Sequence, residues 1–526
     1  MAYSKPSEDS QVVGGLALSE PASEVQEPPA KLGGILRQLG PGLIMAAGIV
    51  GSGELIAATL TGAKAGFIFL GLIFFGCFIK CFTQVEIARH AIVRGETTLR
   101  LLNRLPGPRL ALGKFSGNWI VLFWAFTMIF GFGQLGGIVG GVGQGMAIAM
   151  PITEKGREYN EAASARAKLT VLKKKMATAP NASNLKLEHN KLSAAIVGFD
   201  FQIKPKDDRV WALILAGLTS VMLVRGGFGF IETFAAVLVG AFTLVTIANL
   251  FVLQTQPEWA VRAADFREGL GFGFLSSGSE KIGVALATFG IIGVGAAEIV
   301  AYPYWCLEKG YGRWTGARDD SEGWFARARG WIRVMQWDAW LSMVIYTFCT
   351  VVFYLLGAAV LSQLGLVPEK QDLIRTLSVM FSPVFGGYAV GVFLFGAVAV
   401  LFSTFFISNA TKCRLYTDFA SVSGLANLDE TQRERWVRGL GAMLPMICVC
   451  VYVVWPNPGK LVLISGIFQS LLLVPLGFAV LWLRYREGES RLQSGRGWDV
   501  MLWVSFISFV TIGIYLAVTK LGKISN

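Results

Sequence analysis

Histidine is nearly absent: the 526 residues contain two, His90 and His189. A zinc centre of the His/Cys type therefore has almost no material. Charge is scarce as well, at 16% of residues against 53% hydrophobic, too little polar surface for a string of soluble domains. The seven cysteines, Cys77, Cys81, Cys306, Cys349, Cys413, Cys448 and Cys450, lie in apolar segments or near their ends, which excludes a disulfide-rich ectodomain. No HExxH, GxSxG, Walker A or CxxC constellation occurs, so neither an enzyme nor an ATP-driven pump is expected, and no cofactor is implied. The net charge of +12 is spread over many short segments rather than gathered in one basic stripe with interleaved aromatics, which excludes nucleic acid as a partner.

What remains is an integral membrane protein with a lipid bilayer as its solvent. Glycine is abundant, 62 of 526 residues, and sits inside apolar stretches, where it lets packed membrane helices approach closely. Residues 1–37 are polar and Pro/Glu/Ser-rich without a signal-peptide pattern, and read as a disordered cytoplasmic tail. Eleven apolar spans follow, at 40–62, 66–91, 117–149, 209–225, 230–254, 282–306, 334–363, 380–410, 437–455, 460–484 and 498–519. The chain thus divides into the tail, helices 1–3 (38–150), a polar insert (151–208) and helices 4–11 (209–526). The insert reads as an extracytoplasmic helical hairpin broken at Ala179-Pro180-Asn181. Its Lys173-Lys174-Lys175 cluster reads as a solvated face, and Asn181-Ala182-Ser183 is a glycosylation sequon. Loops of one parity, with Lys412 and Arg414 counted among them, carry more than twice the Lys and Arg of the other. The chain is therefore expected in the cell (inner) membrane, multi-pass, with its N-terminus cytoplasmic and its C-terminus outside.

The strongest local signal is in the first span, where Gly51-Ser52-Gly53 interrupts an apolar helix and Glu54 follows at once. Such an interruption predicts a discontinuous helix, with freed carbonyls able to face a cation and a carboxylate that must find a wet cavity or a partner. Glu54 could instead only occupy the favourable first turn of a half-helix. Five spans later Gly293-Val294-Gly295-Ala296-Ala297-Glu298 repeats the pattern. Interrupted segments at corresponding positions of two halves predict a 5+5 inverted repeat plus one extra helix, all α, with the binding site between helices 1 and 6. Elsewhere, Lys80 reads as a snorkelling lysine. Gln134, Asn249, Asn409 and Gln469 could line a cavity or bond between helices. Glu86 with Arg89 suggests a gating salt bridge, and Tyr302-Pro303-Tyr304-Trp305 a kink with an interfacial belt.

The run from Gly40-Pro41-Gly42 to Glu54 and on through Leu55-Ile56-Ala57-Ala58-Thr59-Leu60-Thr61-Gly62-Ala63 resembles the first helix of the NRAMP divalent-metal transporters, which have the LeuT-type fold. A weaker resemblance extends over residues 38–485, including Glu86-Ile87-Ala88-Arg89, Gln469-Ser470 and Pro475. The family's Asp-Pro-Gly-Asn falls on Gly51-Ser52-Gly53-Glu54, keeping only the glycine. Its sixth-helix methionine falls on about Ala297, and its proton-relay histidines have no counterpart. The resemblance implies a secondary transporter of an inorganic cation with Gly51, Ser52, Gly53, Glu54, Gly295, Ala297, Glu298 and Gln469 at the site. Glu54 and Glu298 would be the metal ligands. An oxygen-only set suits a hard, partly hydrated cation such as magnesium, manganese having lost its thioether ligand. Coupling to protons stays open. So do an ion-coupled carrier of a small organic solute such as an amino acid, and a transport-silent sensor or scaffold acting through the insert.

Overall fold

The computed structural model describes residues 25–178, 183–226, 229–271, 273 and 277–521. Helix α1 (Leu32–Gln38) precedes the first span, which consists of α2 (Pro41–Ile49), a π-helical stretch (Val50–Ala58) and α3 (Thr59–Ala65). The second span is α4 (Leu70–Arg94). Short α5 (Thr98–Asn103) and a hairpin of β1 (Arg109–Leu112) with β2 (Phe115–Asn118) lead to the third, α6 (Trp119–Ala149). The insert forms α7 (Glu154–Thr178) and α8 (Ser183–Ala194), followed by α9 (Asp207–Arg225) and α10 (Gly229–Leu253). After α11 (Ala263–Leu270) the sixth span is split into α12 (Ser279–Phe289) and α13 (Ala296–Lys309), with α14 (Tyr311–Thr315) behind it. Helix α15 (Glu322–Leu356) runs on as a π turn to Ser362. Short α16 (Leu373–Ser378) and α17 (Ser382–Phe385) introduce α18 (Ala389–Val422), and α19 (Glu430–Val454), α20 (Pro458–Arg486) and α21 (Arg496–Leu516) complete the chain.

Among the described residues eight helices are long and apolar enough to cross a membrane. The other three expected spans, 209–225, 230–254 and 282–306, fall on α9, α10 and the split pair α12/α13. The helix starts are those the side chains dictate. Pro41 stands at the first position of α2. Asn118, Ser321 and Asp429 cap α6, α15 and α19 by accepting from Ile120, Trp324 and Gln432 amides at 3.1, 3.1 and 2.8 Å. Close packing uses the glycines: β-carbons on Gly136 and Gly137 of α6 would lie 2.9 Å from Cys448 O and 2.7 Å from Pro458 O, on α19 and α20.

Several expectations are corrected. The tail was expected to be disordered to residue 37. Residues 1–24 lie outside the described residues, but Trp331 Nε1 donates to Gln26 O at 3.0 Å and α1 is already helical. The all-α reading holds, with one short β1/β2 hairpin, paired from Arg109–Asn118 to Leu112–Phe115, beside the helices. Lys412, counted with the loops, lies inside α18 and is buried. Tyr302 and Tyr304 form no interfacial belt: both are buried and donate to Asp338 Oδ2 at 2.9 Å and Asp418 Oδ2 at 2.5 Å. Asp338 in turn accepts from the amides of Gly40 and Gly42, so a carboxylate on α15 satisfies the otherwise orphaned start of α2. The insert does form two helices that pack on each other, and the Ala179-Pro180-Asn181 break and the Asn181 sequon lie outside the described residues. Its α7 docks on α16: Arg375 donates to Ser164 Oγ at 2.6 Å and Asn160 Oδ1 at 2.5 Å, and Tyr159 donates to Asp372 at 2.9 Å. Burial and the Asp372 carboxylate hold the Tyr159 phenol well above its usual range.

Candidate functional site

A split membrane helix must account for the carbonyls of its last turn, because no water is at hand to take them. At the end of α12 they are all taken. Leu286 O accepts from Ser470 Oγ at 2.8 Å. Ala287 O accepts from Gly290 N at 3.2 Å, and Thr288 O from the amides of Ile291 and Ile292, both at 3.0 Å. Phe289 O and, inside the break, Ile292 O both accept from Lys80 Nζ, at 2.7 and 2.5 Å. Lys80 therefore does not snorkel; it has no exposed surface and caps the broken helix. Gly293 then turns the chain with φ +56°, where a β-carbon would also meet Cys77 Sγ at 2.9 Å.

The interruption expected in the first span is present, as nine residues of π-helix, all buried, rather than as unwound chain. The wide turn brings Gly53 against the break, where a β-carbon would lie 2.6 Å from Ile291 O. Glu54, fully buried, accepts at Oε1 from Gly293 N and from Thr350 Oγ1, both at 2.9 Å. Its Oε2 has no partner. Thr61 of α3 and Thr288 of α12 bond at 2.7 Å and latch the two interrupted spans together.

On the other side of the break, a β-carbon on Gly295 would fall against three oxygens at once: Glu298 Oε2, Gln469 Oε1 at 2.8 Å and Gly290 O at 2.9 Å. Glu298 Oε2 is buried without a partner, the kind of atom that asks for a ligand. A polar chain joins this cluster to the first span. Ala297 N donates to Gln469 Oε1 at 3.3 Å, Gln469 Nε2 to Gln134 Oε1 at 2.6 Å, and Gln134 Nε2 to Ser52 Oγ at 2.9 Å. Glu298 and Gln134 line a cavity of about 40 Å³ with Met45, Gly48, Met128 and Lys412, whose Nζ donates to Gly131 O at 2.8 Å. That space admits a few water-sized groups.

The break thus gathers the expected site residues in two sets. Ala297 and Glu298 line the cavity with Gln134, and Gly295, Gln469 and Ser52 join them through the oxygen cluster and the polar chain. Gly53 and Glu54 form the far side with Lys80 and Thr350, and Glu54 does not line the cavity. Gly51 faces Thr404. Among the described residues no group of three or more His, Cys, Asp or Glu stands ready for a metal. Glu86 and Arg89 lie apart, in a buried network in which Glu86 meets Arg89, Arg484 at 3.6 Å and Trp498 Nε1 at 3.2 Å, tying α4 to α20 and α21. Sequence reasoning passed over Thr350, Lys412, Met45 and Met128. For Lys412 a signal existed: the apolar run ends at residue 410 while helix-compatible sequence continues.

Two interrupted spans meeting at a polar break, inside a bundle of membrane helices, define a multi-pass membrane transporter. A family model described as "Natural resistance-associated macrophage protein-like" (Nramp) matches residues 156–519, and the chain belongs to that family, whose members are transporters rather than enzymes. No curated protein matches by sequence. The crystal structure of a point mutant of the manganese transporter of Eremococcus coleocola is similar in fold, with TM-score 0.58, 15% identity, and 95% of this chain and 89% of that one covered. The same transporter in complex with an aromatic bis-isothiourea substituted compound gives TM-score 0.56 at 15% identity over 95% and 90%.

Proposed function

We propose that the protein is a secondary active transporter of an inorganic divalent cation, proton-coupled, with its site at the break over residues 290–295. The observation that carries this reading is the convergence of Glu298 Oε2, Gln469 Oε1 and Gly290 O beside Gly295, with the Glu298 oxygen buried and unpaired. A carboxylate, an amide oxygen and a carbonyl are hard ligands, few enough that the ion keeps several waters. Glu54 lies across the break, outside the cavity, and accepts from Gly293 N; a cation held at Gly295 favours its ionised form through the break, so cation entry releases a proton. The Eremococcus relative carries manganese. Met45 and Met128 line the same cavity as Glu298, so the cavity wall carries methionines, the residue type a softer ion such as manganese favours. In the cell membrane the N-terminus is cytoplasmic.

The test is flux into proteoliposomes of magnesium, manganese, calcium and sodium with a pH-sensitive dye inside, for wild type and Glu54→Gln. Wild type should show saturable divalent entry with a proton signal, and the variant should lose the proton signal and at least about tenfold of the flux. Unchanged flux and pH dependence in Glu54→Gln would sink the coupling role, and no divalent flux at all would sink the cargo. A second reading has its own observation: Glu298 and Lys412 face one cavity, the charge pair an amino acid's ammonium and carboxylate would need. Uptake of a labelled amino-acid mixture, with no divalent flux, would select it.

A further inference from the structure

A lysine in the middle of a membrane helix ordinarily runs its stem along apolar surface and puts its charge at the interface. Lys80 turns inward instead. Its Nζ sits 2.7 Å from Phe289 O and 2.5 Å from Ile292 O, with the Phe289 ring centroid at 5.0 Å. Those carbonyls are the negative end of the half-helix α12 and the first peptide of the break. In transporters with split helices such ends hold a coupling sodium ion or proton. The next residue along, Gly293, binds Glu54, whose second oxygen is buried and unpaired. Two carbonyls and a nearby carboxylate make a cation site, and here an ammonium fills it.

We propose that residues 289–293 and Glu54 form a monovalent-cation subsite whose occupant is the protein's own Lys80 ammonium. The cation of this subsite is tethered to the chain, so the protein runs without free alkali metal ion. A neutral residue at position 80 turns the subsite into one that takes an alkali metal ion or a small alkylammonium. This deepens the proposed function, but its test uses no divalent ion and does not depend on which cargo is carried.

The measurement is the thermal unfolding midpoint in detergent, with sodium, lithium, potassium or methylammonium chloride compared against N-methylglucamine chloride at equal ionic strength. Wild type should be indifferent to the cation. Lys80→Ala should unfold several degrees lower in N-methylglucamine and recover saturably with one of the small cations. Saturable stabilisation of wild type by an alkali metal ion would overturn the proposal, since the subsite would then be open. So would Lys80→Ala behaving as wild type, or falling without recovery in any small cation. Should Lys80→Ala not survive purification, Lys80→Gln is extracted in parallel in sodium and in N-methylglucamine. Folded protein recovered only in the small cation supports the tethered-ion assignment; equal recovery, or none in either, overturns it.

Discussion

Replacing Glu298 by Gln is expected to abolish divalent flux, by on the order of 100-fold, without lowering the unfolding midpoint. The loss follows from charge: Glu298 is the single carboxylate in the oxygen cluster at Gly295, and the amide and carbonyl around it carry only dipoles. The preserved stability follows from the same geometry. A glutamine there presents an N–H group to Gln469 Oε1 and Gly290 O in place of an unpaired oxygen, which removes a buried unsatisfied acceptor rather than creating one. Flux and midpoint therefore part company in this variant. Retained flux would remove Glu298 from the site, and a parallel fall of both would make its role structural.

Restoring the family's aspartate at Gly51 is expected to fail. A β-carbon at that position would lie 2.7 Å from Thr404 Cβ and 3.1 Å from its Cγ2, inside a fully buried π turn. Overpacking of this kind costs about 1–3 kcal/mol, and taking a new carboxylate out of water adds to the cost, even with the unpartnered Thr404 hydroxyl beside it. Gly51→Asp should yield little folded protein and no gain in manganese transport, whereas Gly51→Asp with Thr404→Gly, which removes the clash but not the buried charge, should recover part of the yield. The two positions form a pair, and a well-folded single variant with raised manganese flux would show that they do not.

Much of this arrangement was legible in the sequence. Eleven apolar runs fell on helices, and the two Gly-x-Gly interruptions marked the segments that meet at the break, because a glutamate close behind each pair sets them apart from glycines that only let helices pack. The form of the first interruption was not legible. Whether glycines unwind a helix or widen it to a π turn depends on what presses against them, here Thr404 and Ile291, far away in the chain. Lys80 illustrates the same limit, since a lysine near the middle of an apolar run can point out or in, and only the carbonyls of a helix more than 200 residues later decide it. Tyr302 and Tyr304 matched the composition of an interfacial belt, yet buried aspartates on α15 and α18 claim their hydroxyls. Lys412 was assigned to a loop because the apolar run stops before α18 does.

Two acids, Glu54 and Glu298, and two lysines, Lys80 and Lys412, stand around the break. With both lysines charged and one acid holding the proton that cation entry releases, the empty carrier takes one net positive charge through the membrane field as its halves reorient. The loaded carrier, with all four ionised, takes the two charges of its passenger, and because each elementary charge crossing 100 mV is worth about 2.3 kcal/mol, two make roughly 4.6 kcal/mol. The membrane potential would then act on both steps, driving the loaded stroke inward with about twice the energy that opposes the empty return. A cargo-free protein that shows no transient current after a voltage step would contradict that division.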